Sequence, residues 1–137
     1  MFDPELIPKF KRTMAFTVED FYNLVGFFNF FSKVVTTPNI LTEVNSLSNQ
    51  LPKNLKLSYY SSFATQVLNL EEYFIKSAEL TVLPHFNKFG LTDAGIAELV
   101  RGNYLVLTDD LELMSYLQNI HIDVINFNNI RTENWNW

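Results

Sequence analysis

The chain has 137 residues, of which 47% are apolar and 18% are charged, and its formal net charge is −5. This length fits a single domain with a sizeable core, and the composition excludes a disordered acidic segment. The acidic balance argues against a broad basic surface for nucleic acids, and the absence of cysteine excludes disulfides, thiolate zinc sites and cysteine catalysis.

The N-terminal half predicts helices around one short strand, after an irregular lead over 1–16. Thr17 and Asp20 are spaced as a capping box, and Thr36 or Thr37 precedes Pro38 as a second helix start. The predicted elements are a helix over 18–33, a strand over 34–36, a helix from 38 to 51 with the apolar stripe Ile40, Val44, Leu47 and Leu51, and a helix over 55–70 with the apolar face Tyr60, Phe63, Ala64 and Val67.

The C-terminal half alternates strands with helices that begin at threonines. The predicted elements are a strand over 73–75, a helix over 93–101 capped by Thr92, a strand over 104–107, a helix over 109–118 capped by Thr108, and a last strand ending at Phe127. This alternation with short connections predicts an α/β fold with a short parallel sheet in a three-layer sandwich.

Three carboxylates lie on or beside apolar stripes: Glu43, Asp93 and Asp110. Asp93 and Asp110 each precede apolar residues at i+3, i+4 and i+7, and Glu43 falls at the edge of its stripe. Each has an ordinary alternative, because an acid in a first helical turn is favoured by the helix dipole and an edge residue is often solvated.

Asp109 and Asp110 directly follow a predicted strand. The carboxyl ends of parallel strands form the crevice in which α/β proteins place their sites. Carboxylates that converge there repel one another unless a cation lies between them, and oxygen ligands suit Mg²⁺ or Mn²⁺. Such an ion activates water and stabilises a phosphodiester transition state.

The basic residues of the lead, Lys9, Lys11 and Arg12, form the one basic cluster of the sequence. They are candidates for holding an RNA backbone, and the alternative is that they are solvated charges without a ligand.

Two segments resemble the PIN domain family: TTPNILTEVNSL, and FGLTDAGIAELVRGNYLVLTDDLELMSYLQNIHIDVINFNNIR. PIN domains are small α/β proteins, mostly Mg²⁺- or Mn²⁺-dependent ribonucleases, and they include the VapC toxins of toxin–antitoxin pairs. The resemblance assigns Glu43, Asp93 and Asp110 to the catalytic metal ligands, with Thr108 as the accompanying hydroxyl. Asp109 is either a substitute for Asp110 or a further metal ligand.

The resemblance implies a single PIN-like domain over 1–131 followed by a polar tail over 132–137. The family's opening strand, which lies in the middle of the sheet and ends in a catalytic aspartate, has no counterpart here. The chain therefore resembles a PIN domain without its first strand, with an open sheet edge beside 34–36 and 104–107 and a metal site lacking one carboxylate.

The resemblance implies an endoribonuclease that hydrolyses RNA phosphodiesters with Mg²⁺ or Mn²⁺, and the missing aspartate favours loss of activity in the chain as given. The alternatives are a non-catalytic PIN-like module that binds RNA or protein, and a truncated fragment. The implied partners are an RNA substrate, an antitoxin or other protein, and a second copy of the chain, in the cytoplasm and without a membrane.

Overall fold

The computed structural model describes residues 4–9, 13 and 15–132, and it divides into two compact units. Unit 1 extends to Glu72, and unit 2 begins at Tyr73. Both units mix helices with a short pair of parallel strands, so the expected α/β class is confirmed. Residues 133–137 of the predicted tail lie outside the described residues, and the single domain over 1–131 stays a prediction.

Unit 1 is built around a parallel pair of two-residue strands, in which Val35 is the register partner of Glu71. The capping box is confirmed, since the Thr17 amide donates to Asp20 Oδ2 at 2.7 Å and the Asp20 amide donates to Thr17 Oγ1 at 3.1 Å. The elements are a 3₁₀ helix (Pro4–Lys9), α1 (Val18–Phe28), β1 (Val35–Thr36), α2 (Pro38–Ser46), a 3₁₀ helix (Leu47–Gln50), α3 (Lys53–Val67) and β2 (Glu71–Glu72).

The apolar stripes predicted for α2 and α3 are wrong in part. Neither helix has a fully buried side chain, and Val44 and Tyr60 are 41% and 44% exposed. In α3 the inner face is formed by half-buried Tyr59 and Phe63, and the solvent face includes Ala64. Helical spacing cannot decide which of two adjacent apolar faces a short helix buries, because tyrosine and alanine are tolerated on either side.

Unit 2 has one core that joins two helices to a parallel pair of strands. Buried residues from α5, β3 and α6 pack together with Ile122, and Leu117 is fully buried. The elements are α4 (Ser77–Leu80), α5 (Phe86–Leu99), β3 (Val106–Thr108), α6 (Leu111–Asn119), β4 (Val124–Asn126) and α7 (Phe127–Thr132).

Three predictions for the C-terminal half of the sequence are wrong in detail. The strand expected over 73–75 lies two residues earlier, over Glu71–Glu72. Thr92 is not a cap, because α5 begins at Phe86 and the left-handed Gly90 interrupts it. Thr108 is not the cap of α6, because its backbone still belongs to β3 and Asp110 takes that role.

The parallel direction expected of the strands is confirmed in both units. The described residues form two separate two-stranded sheets, one of β1 with β2 and one of β3 with β4. Among the described strands, β1 comes first in the sequence. Among the described residues, no third strand joins either pair. Within the described residues, no helix combines the length and apolar character that crossing a bilayer requires.

The two glycines of α5 give opposite predictions for alanine substitution. Gly95→Ala is expected to raise the free energy of unfolding by about 0.5–1 kcal/mol, because the new Cβ would make an ordinary 3.6 Å contact with Leu80 in a helical backbone. Gly90→Ala is expected to lower it by about 1–3 kcal/mol, because φ 79° and ψ −170° suit only glycine. Urea unfolding of both variants tests this, and stabilisation by Gly90→Ala would contradict the backbone geometry.

Candidate functional site

The carboxyl ends of β3 and β4 form a polar edge in unit 2, which we call the carboxyl edge. Thr108 and Asn126 are register partners and the last residues of their strands. The helix α7 begins directly after β4, whereas two residues separate β3 from α6. These two residues are Asp109 and Asp110, which therefore lie at this edge. This is where a parallel sheet offers a binding crevice.

Asp110 is the side chain that starts α6. Its Oδ1 accepts from the Glu112 amide at 2.8 Å and the Leu113 amide at 3.0 Å, and Thr108 Oγ1 accepts from the Asp110 amide at 3.1 Å. These bonds satisfy two of the amides that a helix start leaves without a backbone partner. They fix the carboxylate, which is exposed, and leave its second oxygen outside the cap.

Asp93 lies in the first turn of the helical segment that follows Gly90. Its expected place at the head of a buried stripe is confirmed, since Ala97 and Val100 are 2% and 6% exposed. Asp93 itself is half-buried. Because Ala97 and Val100 share a core with Leu113 and Leu117 of α6, the helices that carry Asp93 and Asp110 are packed into one unit.

Glu43 lies in unit 1, on the exposed side of α2. The helix follows β1 directly, and Thr37 caps it by accepting from the Ile40 amide at 3.3 Å. Of the three basic candidates, Lys9 is an exposed residue at the end of a 3₁₀ helix, and Lys11 and Arg12 lie outside the described residues.

The candidate ligands have the chemistry that Mg²⁺ and Mn²⁺ prefer, since all are carboxylates. Among the residues that the structure describes, however, no group of three or more aspartate, glutamate or histidine side chains is placed to hold one metal ion. Among the described residues, the candidate acids are therefore not gathered into one three-member cluster.

Two buried polar side chains in unit 2 escaped the sequence reasoning. Asn126 is 1% exposed, its Oδ1 accepts from the Asn128 amide at 2.8 Å, and its Nδ2 has no hydrogen-bond partner among the described residues. His85 is 6% exposed and has Nδ1 3.0 Å from the Tyr116 hydroxyl. An asparagine that ends a strand was the available signal for the first, whereas nothing local marks His85 as buried.

Comparison with known proteins adds no relative. No family model matches the chain, and neither the curated proteins nor the solved structures contain a match.

Removing the cap at Asp110 separates its structural role from its charge. Asp110→Ala is expected to lower the free energy of unfolding by about 0.5–2 kcal/mol, because the Glu112 and Leu113 amides lose their acceptor. Asp110→Asn keeps an acceptor oxygen and is expected to stay within about 0.5 kcal/mol of the parent. The matched control is Asp109→Ala, and equal losses in Asp109→Ala and Asp110→Ala would refute the cap.

The buried pair of His85 and Tyr116 predicts a coupled effect. Tyr116→Phe keeps the ring against Phe89 but leaves His85 Nδ1 without its partner, so we expect a loss of about 1–3 kcal/mol. In the double variant with His85→Leu, no stranded imidazole remains, and the loss is expected to fall about 1 kcal/mol short of the sum of the single losses. Strict additivity in urea unfolding would contradict the pairing.

Proposed function

We propose that this chain is a metal-dependent endoribonuclease of the PIN class, which hydrolyses RNA phosphodiester bonds with Mg²⁺ or Mn²⁺. The observation that carries the proposal is the carboxyl edge, where β3 ends beside Asn126 of β4 and continues directly into Asp109 and Asp110. The helix of Asp93 shares a core with the elements that form this edge. The PIN-like segments supply the assignment, and the parallel β–α units are compatible with it.

Each acid has a role in this proposal. Asp93 and Asp110 are the ligands that the two packed helices of unit 2 carry, and the ligand role of Glu43 rests on the PIN-like segment TTPNILTEVNSL alone. The cap on Oδ1 fixes the Asp110 carboxylate, and Oδ2, which lies outside the cap, is the oxygen that would be available to a metal ion. A bound divalent ion would supply an activated water and offset charge on the phosphodiester. Asp109 is the exposed neighbour that adds a fourth carboxylate.

A second candidate is a non-catalytic PIN-like module that binds RNA or protein. The observation that favours it is the lack of a three-member ligand group among the described residues. A divalent ion held by two carboxylates and water binds weakly, because Mg²⁺ and Mn²⁺ prefer six oxygen ligands in near-octahedral geometry. The same fold would then present its surface without hydrolysing RNA.

The finer parts of the proposal follow from the PIN assignment. They are a three-layer sandwich, a cytoplasmic location compatible with the absence of cysteine, and RNA, an antitoxin-like protein or a second copy of the chain as partners.

The nuclease proposal is tested with Asp93→Asn. We expect Mn²⁺-dependent cleavage of a labelled single-stranded RNA that chelation with EDTA abolishes. Asp93→Asn is expected to reduce cleavage at least 100-fold, on the order of one lost charge-stabilising group. Its melting temperature should remain near that of the parent, because the amide is isosteric with the carboxylate.

Asp123→Asn is the matched control, since Asp123 is an exposed aspartate at the amino end of β4, opposite the carboxyl edge. Cleavage that survives Asp93→Asn would refute the ligand assignment. RNA binding without cleavage, in a protein whose melting temperature Mn²⁺ does not raise, would decide for the binding module. A Mn²⁺-induced rise in melting temperature that Glu43→Gln removes would instead support the nuclease.

A further inference from the structure

Unit 1 contains a stretch that departs from the acidic balance of the chain. Residues 44–70 include no aspartate or glutamate, and their charged side chains are Lys53 and Lys56. The stretch therefore carries a formal charge of +2 in a chain of net charge −5. Both lysines lie in the first turn of α3, where the positive end of the helix dipole adds to their charge.

The solvent side of α3 combines this charge with apolar surface. Lys53, Leu57, Tyr60 and Ala64 follow one another at i, i+4, i+7 and i+11, so they share one face, and all four are exposed. Leu57 is 78% exposed and Tyr60 is 44% exposed. We call these four residues with Lys56 the α3 face.

The tyrosine ring on this face is held in place from behind. The Tyr60 hydroxyl lies 3.3 Å from Oγ of the buried Ser48, and the Tyr59 ring packs edge-on against Tyr60 at 5.4 Å. Tyr59 in turn stacks on Phe63 and donates its hydroxyl to the Val44 carbonyl at 3.3 Å. Burial raises the pKa of Tyr59 above the ordinary value of a tyrosine hydroxyl, and the neighbouring Tyr60 raises it further.

An anchored ring with one exposed side is suited to stacking, because little side-chain entropy remains to be lost on binding. Bases of single-stranded nucleic acids stack on such rings, and neighbouring lysines neutralise the phosphates. An uncharged apolar face would favour a protein as the partner. The α3 face instead has two lysines in the first turn of a helix whose start has no side-chain cap.

We propose that the α3 face binds single-stranded RNA, with a base stacked on Tyr60 and phosphates at Lys53 and Lys56. The choice of RNA over DNA rests on the proposed function, but the binding itself does not require cleavage. The surface lies within unit 1 and uses none of the proposed metal ligands.

The experiment measures fluorescence anisotropy of a 5′-labelled 12-nucleotide oligouridylate in EDTA, so that neither metal nor cleavage contributes. Tyr60→Ala is expected to weaken binding about 5- to 100-fold, and Tyr60→Phe, which keeps the ring, to recover most of the affinity. Lys53→Gln with Lys56→Gln is expected to reduce the slope of log affinity against log salt by about 1.4, since each phosphate contact contributes about 0.7.

Matched controls carry the same changes elsewhere. Lys76→Gln with Lys88→Gln removes two exposed lysines, and Phe74→Ala removes a ring that is 75% exposed. Equal effects of the controls and the α3 variants on RNA binding would overturn the proposal. Absence of RNA binding by the parent protein would also overturn it, and would indicate that the α3 face binds a protein instead. RNA binding that the α3 variants leave unchanged, together with intact Mn²⁺-dependent cleavage, would refute this surface and leave the nuclease proposal standing. Binding that depends on the α3 face, without cleavage, would support this surface and refute the nuclease proposal.

Discussion

The parallel pairing of β3 with β4 is the constraint on which the candidate site depends. Parallel strands end at the same edge, so Thr108 and Asn126 become neighbours. The chain therefore leaves both strands at the carboxyl edge. The shared core of α5, β3 and α6 holds this arrangement, because Leu113 and Leu117 lose their burial if α6 moves. Asp110 is therefore placed by packing several residues away from it.

Unit 1 is held together differently. Its strands are two residues long, and α2 and α3 bury no side chain completely. Tyrosine hydrogen bonds join α3 to α2 and to the 3₁₀ helix Leu47–Gln50. Phe27 is 7% exposed and contacts Phe31 at 5.0 Å, which anchors the end of α1. A unit with so much exposed apolar surface has rings available for contacts beyond its own fold. Because α2 and α3 bury no side chain completely, one side of the Tyr60 ring also remains exposed.

Local chemistry made much of the fold predictable, while burial depended on partners far along the chain. The capping box of Thr17 and Asp20 and the start of α2 at Pro38 need only near neighbours, and the sequence predicts both. The cap at Thr108 failed because β3 extends one residue further than its apolar run, through pairing with Asn126. The exposure of Tyr60 could not be predicted, since it depends on Ser48 and on which side of α3 meets α2.

The candidate site was predictable as a set of residues but not as a cluster. Periodicity alone placed Asp93 and Asp110 on their helices, but spacing along a chain does not measure the distance between two elements. Asp110 illustrates the physical difference, because two amide donors already stabilise its carboxylate without any cation. A metal site requires several carboxylates held together against their repulsion, and a capped aspartate is under no such strain. The ion proposed for the carboxyl edge would therefore need acids from other elements beside Asp110, because the cap already occupies Oδ1 of that carboxylate.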